Sequence, residues 1–193
     1  NLYTNNYLLK LNDRWQPIID ATSTWNVAPL ILQRHFFSHA VQPFLTRKAK
    51  VCVIISDALR YEVGEELLSR IRQEDRYDAH LEPMVSMLPS YTQLGMASLL
   101  PNDTLAIANN DSGDALVDGK NAAGTINRGK ILAARVSASS VVLAKEFVLL
   151  GGDDSRAIVR DSDVLYVYHN LIDNTGDKLA TEERVFHATE QAL

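Results

Sequence analysis

Cysteine is almost absent from this sequence. Its 193 residues include one cysteine, Cys52, so a disulfide within the chain is excluded. No run of about 18 consecutive apolar residues occurs, which argues against a membrane-spanning helix. A single thiol inside an apolar segment is typical of reducing compartments, and we therefore expect a cytoplasmic protein that does not contact a membrane.

Positively charged residues are also fewer than negatively charged ones. The chain has 19 Lys and Arg against 24 Asp and Glu, a formal net charge of −5. Nonspecific nucleic-acid binding needs clustered cations, so this balance argues against it. It leaves open a nucleotide held through a metal ion, which supplies positive charge locally. Because the first residue is asparagine, we expect the chain to be part of a longer protein.

Residues 1–48 are predicted to be helical, because apolar residues recur at helical intervals in "YLLKLNDRWQPIID" and no strand pattern is present. The pattern changes near residue 48, where strands and helices begin to alternate. The sequence thus predicts a helical lead-in of 1–48 and a core of 49–193.

Alternating strands and helices predict an α/β core with a mainly parallel sheet and helices on both faces. The segment "VVLAKEFVLL" fits a strand or a helix equally well. Strands are predicted at 51–55, 77–87, 104–108 and 163–173, and helices at 58–73, 92–100, 126–136 and 181–193.

Polar residues follow the predicted strands at the edge where ligands collect in open α/β sheets. Asp57 directly follows "VCVIIS". One interpretation makes it the N-cap of the next helix, since aspartate accepts hydrogen bonds from free backbone N–H groups. The other makes it a metal ligand presented by the strand.

Thr92 begins the helix predicted after "LPSY", and the same two kinds of interpretation apply. Thr92 is either an N-cap or a nucleophile. The helix macrodipole, worth about 0.3–1 kcal/mol at an exposed helix end, is too weak to ionise a threonine by itself. A divalent metal is strong enough, since it lowers the pKa of a bound hydroxyl by several units.

A third group, in "YHNLIDNTGDK", follows the last predicted strand. Asp173 and Asp177 flank a glycine, and His169 lies four residues before Asp173. The segment fits a solvated loop, but carboxylates and imidazole are also suitable ligands for zinc or manganese.

These motifs resemble the PglZ domain (phage-growth-limitation Z), a branch of the alkaline phosphatase superfamily found in phage-exclusion (BREX) defence systems. The resemblance covers about two thirds of the chain. It lies in "VIISDALRYEVGEEL", "LPSYTQLGMASLLP", "VDGKNAAGTINRGKIL" and "VYHNLIDNTGDK", in that order.

The resemblance implies a three-layer alkaline-phosphatase-like fold and two divalent metal ions, zinc or manganese. It implies that Asp57 binds metal, that Thr92 is the nucleophile, and that Asp173 belongs to the second metal. A histidine ends the related D-x-x-G-H motif, whereas Asp177 stands there in this sequence. His169 is a possible substitute.

Superfamily members also use an Asp-His pair and a further histidine as ligands, and this sequence has no Asp-His dipeptide. We expect these ligands beyond Leu193, with the sheet incomplete and the fragment itself inactive. Lys120 and Arg60 are candidates for binding the phosphoryl group, although Arg60 also fits a solvated helix face.

The resemblance implies a phosphatase or phosphodiesterase with a phosphate-ester substrate, nucleic acid included, that works with other phage-defence proteins. The alternative is a non-catalytic interaction module of the defence complex. A Rossmann-type cofactor domain is disfavoured, because no G-x-G-x-x-G follows the first strand.

Overall fold

The computed structural model describes residues 2–193 and divides the chain into two units. The first ends at Leu30, and the second is Ile31–Leu193. The domain boundary near residue 48 stays a prediction. Within residues 2–193, no helix has both the length and the apolar character needed to cross a membrane.

The first unit is a helix followed by an irregular segment. A π-helical turn, Tyr3–Leu8, continues into α1, Leu9–Asp20. Pro17 lies inside this helix, which continues to Asp20. The rings of Trp15 and Trp25 meet edge to face, with their centroids 6.4 Å apart.

The centre of the second unit is a three-stranded parallel sheet. Its order is β2–β8–β7, with β8 in the middle. The strands are β2, Val51–Ser56, β7, Ser139–Leu143, and β8, Val164–His169. This sheet, flanked by helices, confirms the predicted α/β class.

The sheet forms where the sequence is richest in β-branched and aromatic residues. Every residue from Val164 to Tyr168 is buried, as expected for the middle strand of a parallel sheet. On β2, Val53 and Ile55 are buried while Ile54 is exposed, because successive side chains point to opposite faces.

A separate antiparallel sheet lies between β2 and β7 in sequence. Its first strand was predicted at 104–108, but its two other strands were not. Its order is β4, Leu105–Ile107, β5, Ala115–Val117, and β6, Lys120–Asn121. Asp118 and Gly119 connect β5 to β6 with φ of 49° and 77°. Positive φ at both positions is what a two-residue hairpin turn requires.

The segment predicted to be wholly helical, 1–48, contains a short strand. This strand, β1, Ile31–Leu32, pairs in parallel with β3, Met84–Val85. The prediction of no strand here was wrong, because a two-residue strand depends on its distant partner and leaves no periodic pattern. The strand predicted at 77–87 is likewise limited to β3.

Helices occupy most of the remaining chain. The segment 141–150, which fitted either structure, is both: β7 runs directly into a short helix. The helices of the second unit are α2, Gln42–Thr46, α3, Tyr61–Gln73, α4, Thr92–Ser98, α5, Gly124–Arg135, α6, Ala144–Phe147, α7, Gly152–Asp161, α8, Leu171–Gly176, and α9, Val185–Ala192.

Two contacts fix the helices that carry site residues. The Tyr166 hydroxyl, on the buried strand β8, donates to the Leu99 carbonyl at the end of α4 at 2.8 Å. A Cβ added at Gly129 in α5 would lie 3.6 Å from Val141 Cγ2. This is an ordinary van der Waals distance, so α5 packs against β7 at this point.

Candidate functional site

Asp57 lies at the carboxyl end of β2, beside the end of β8. Its backbone N–H donates to the His169 carbonyl at 2.8 Å, which extends the parallel pairing one residue beyond the strand. Ala58 then has a φ of 62°, a left-handed conformation that is uncommon for a residue with a side chain. The backbone therefore turns sharply directly after Asp57.

The capping interpretation of Asp57 is wrong. Helix α3 begins at Tyr61, and its N-cap residue is Arg60. Three residues, including the turn at Ala58, separate Asp57 from that helix. The carboxylate is thus not used to satisfy the first backbone N–H groups of α3.

Asp57 and Asp173 lie near enough for their charges to interact. Strand β8 ends at His169, and Asp173 lies in the first turn of α8. Burial raises the pKa of Asp57 above its ordinary value, and the negative charge of Asp173 raises it further. The Ala58 N–H and the positive charge of Arg128 lower it in part.

His169 is held by the neighbouring strand. The Ser56 hydroxyl and His169 Nδ1 are 2.9 Å apart, and the two residues are register partners in the parallel pair. This hydrogen bond occupies one ring nitrogen and orients the imidazole. His169 is therefore placed at the same sheet edge as Asp57.

Asp177 lies at the end of α8, which replaces the solvated loop considered for this segment. Helix α8 forms because Ile172 is buried and anchors the turn to the core. Asp177 is the C-cap residue, is exposed, and donates its N–H to the Asp173 carbonyl at 2.9 Å. Spaced four residues apart, Asp173 and Asp177 lie on the same side of the helix.

Thr92 is the first residue of α4, and the N-cap position belongs to Tyr91, so the capping interpretation of Thr92 is also wrong. The Tyr91 hydroxyl donates to the Gly113 carbonyl at 2.8 Å and fixes the approach to the helix. Thr92 is exposed. Within residues 2–193, no hydrogen bond joins it to Asp57 or Asp173.

The two predicted phosphate-binding cations are both exposed. Arg60 has a side chain 79% exposed and lies 3.8 Å from the Glu62 carboxylate. Lys120 lies on the β5–β6 hairpin, directly after the tight turn. Their substrate-binding roles stay predictions.

Sequence reasoning missed Arg128 and Tyr168. The Arg128 guanidinium carbon lies 4.3 Å from the centre of the Tyr168 ring. Tyr168 is buried and immediately precedes His169. Nothing in "GTINRGK" indicates this contact, because it depends on how α5 packs against the sheet.

The chemistry of the Asp57–Asp173 pair fits part of a metal site. Two carboxylates that repel each other are stabilised by a divalent cation, and their oxygens are suitable ligands. In the part of the chain that the structure describes, no three His, Cys, Asp or Glu side chains are grouped closely enough to hold a metal ion. A metal ion held by this pair would therefore need further ligands.

Two curated relatives match the whole chain. The alkaline phosphatase-like protein BrxZ of Escherichia coli O9:H4 (strain HS) is 39% identical over 197 residues. The alkaline phosphatase-like protein PglZ of Bacillus cereus (strain H3081.97) is 38% identical over 195 residues. All of this chain is covered, but only 22% and 23% of these relatives. The chain thus spans less than a quarter of their length.

A family model described as the BREX system PglZ alkaline phosphatase-like domain matches residues 36–193. The match includes every candidate site residue discussed above, from Asp57 to Asp177. The chain belongs to the PglZ alkaline phosphatase-like domain family.

Proposed function

We propose that this chain is part of a metal-dependent phosphoric ester hydrolase of a BREX defence system. The single observation that carries the proposal is the electrostatic interaction of Asp57, directly after β2, with Asp173, in the helix that follows the adjacent parallel strand β8. Family membership supports the reaction class, because the relatives are named alkaline phosphatase-like proteins.

Asp57 and Asp173 would hold a divalent cation, Zn²⁺ or Mn²⁺, with His169 and Asp177 as further candidate ligands. When bound, the cation supplies positive charge for the phosphoryl group and lowers the pKa of a nearby hydroxyl. The remaining ligands would come from residues of the full-length protein outside this chain, in the region that corresponds to the uncovered part of the longer relatives.

Thr92 would act as the nucleophile. Its Oγ1 loses a proton and bonds to phosphorus, while the phosphorus–oxygen bond to the leaving group breaks. Water then hydrolyses the phosphothreonine, which releases phosphate or a phosphate monoester and restores the hydroxyl. The exposed position of Thr92 at the first residue of α4 leaves its hydroxyl accessible for this role.

Hydrolysis of para-nitrophenyl phosphate and bis-para-nitrophenyl phosphate by the full-length protein tests the proposal. We expect turnover with Zn²⁺ or Mn²⁺, its loss with a chelator, and a loss of about 10³-fold or more in Thr92→Ala, as when an enzyme loses its nucleophile. Ser90→Ala is the matched control, because it removes an exposed hydroxyl two residues away.

Full turnover by Thr92→Ala would remove Thr92 as the nucleophile. A complete lack of turnover in the wild-type protein with either metal would favour the alternative, a non-catalytic module that binds other defence proteins. The absence of a three-ligand cluster within residues 2–193 is the observation that favours this alternative.

A further inference from the structure

An open groove lies along β7, at the edge of the parallel sheet. Its volume is about 780 Å³, and it is walled by α5 on one side and by the segment from α6 to Leu150 on the other. Within residues 2–193, β7 pairs only with β8, so no strand pairs with its outer edge. The groove is therefore the place that a further strand would take beside β7.

Both walls of this groove carry small or apolar side chains. Gly129 and Ala133 line the α5 wall, Phe147 and Leu150 line the other, and the strand contributes Val142. Successive side chains of an added strand point to opposite faces of the sheet, so they would contact the two walls in turn. The groove thus suits a strand that is apolar on both faces, as inner strands of parallel sheets are.

Strand β7 has none of the features that protect an exposed sheet edge. Its sequence, "SSVVL", contains no charged residue and no proline, whereas natural edge strands carry such residues or are covered. Directly after α6, Val148, Leu149 and Leu150 form an exposed apolar run, which is unfavourable on a surface without a binding role. Both observations indicate that another segment covers this edge.

The full-length protein is the most suitable source of that segment. The chain covers only 22% and 23% of the curated relatives, which leaves more than three quarters of their length to supply a strand. Pairing with β7 of a second copy is disfavoured, because that copy would bring its own α5 and α6 against the same walls. Lys130 and Glu146, the charged residues of the lining, have opposite signs, so the groove does not select a strongly charged segment.

We propose that an extended segment of the full-length protein, from outside this chain, pairs with β7 in the groove as an added strand. The segment has a near-continuous apolar sequence of about five residues, the usual length of a strand. This interface lies on the opposite edge of the sheet from β2, and it does not depend on the proposed hydrolysis.

Ala133→Arg and Ala134→Arg in the full-length protein form a matched pair. Both alanines are exposed on α5 in the described chain, but of the two only Ala133 lines the groove. We expect Ala133→Arg to lower the thermal unfolding midpoint by about 5 °C or more, as for a buried charge without a partner. Ala134→Arg should change it by less than about 1 °C, as is usual for a surface substitution.

A photo-reactive benzoylphenylalanine in place of Leu150 identifies the occupant of the groove. After irradiation of the purified full-length protein, mass spectrometry of the digest should find this side chain joined to a peptide from outside the 193 residues. Mixing isotope-labelled with unlabelled protein separates cross-links within one chain from cross-links between copies. The same group in place of Leu179, which is 92% exposed and outside the sheet, is the control and should not capture that peptide.

Equal unfolding midpoints for the two arginine variants would overturn the inference. So would a cross-link from the Leu150 position to a second copy, to another protein or to residues 1–193, and so would the absence of any cross-link. A cross-link within one chain to a peptide outside these residues, together with the lower midpoint of Ala133→Arg, would establish the added strand.

Discussion

At the scale of single residues, Asp57 is held where its ionisation opposes folding. Burial and the charge of Asp173 both disfavour its charged form, and the Ala58 N–H and Arg128 offset them only in part. Carboxylates with perturbed pKa values at a strand end are typical of functional sites, which trade stability for chemistry. The strained φ of Ala58 next to it fits the same pattern.

Asp57→Asn is expected to raise the thermal unfolding midpoint of the chain near neutral pH, measured with a chelator present. Because folding raises the pKa of Asp57, this group stabilises the fold below its ordinary pKa of 3.8 and loses that contribution as the pH rises through the folded value. The gain from asparagine should therefore disappear in acid. A lower midpoint than wild type at neutral pH would contradict the expectation.

Asp118→Asn is the control of opposite sign. Burial opposes ionisation of Asp118, but the N–H groups of Thr104 and Asp103 outweigh it and lower its pKa. The carboxylate Oδ1 accepts from these groups at 2.7 and 3.0 Å. This substitution should therefore lower the midpoint near neutral pH, where the native carboxylate is charged.

At the scale of elements, α5 shows how one helix serves both the core and the site. Leu132 is fully buried, while Ile126 on the same helix is 76% exposed. Helix α5 packs against β7 at Val141, and its Arg128 lies over the ring of Tyr168. Packing of this one helix therefore decides where the cation lies.

Leu132→Ala is expected to reduce the free energy of unfolding by about 2–4 kcal/mol, because it leaves a cavity in the core. Ile126→Ala removes an apolar side chain of similar size from the solvent-exposed face and should change it by less than about 0.5 kcal/mol. Urea denaturation of both variants provides the comparison. Equal losses would show that α5 does not pack on the sheet as described.

Strong local patterns made part of the fold and the site predictable. Strands β2 and β8 follow from dense β-branched and aromatic runs, and the meeting of Asp57 with Asp173 follows from the rule for carboxyl ends of parallel strands. The strand predicted at 104–108 is confirmed as β4, but β5 and β6, of three and two residues, are too short to show a periodic pattern. Arg128 was missed because its position depends on helix packing; the catalytic roles themselves stay predictions.

At the scale of the whole molecule, the parallel sheet has two edge strands in the described chain, β2 and β7. Ile54 on β2 is 69% exposed, although its register partner Val167 is buried. Unpaired strand edges with exposed apolar side chains favour association with other strands. The sheet edge is thus a surface on which further chain or another molecule can pair.

The 193-residue chain is therefore expected to self-associate as its concentration rises, measured by sedimentation velocity. Ile54→Lys should shift the distribution toward the monomer, because a charge on an edge strand discourages pairing. Leu179→Lys is the matched control, since Leu179 is 92% exposed but lies outside the sheet. Equal effects of the two substitutions would point to general solubility instead of the β2 edge.

The hydrogen bond from the Asp57 amide to the His169 carbonyl has a kinetic consequence. This N–H lies past the end of β2, and its hydrogen bond to β8 is expected to slow its exchange with solvent deuterium. The amide of Asp57 is thus a hydrogen-exchange probe of the opening of the β2–β8 strand pair at this end. Its exchange rate reports how often the edge that presents the carboxylate comes apart.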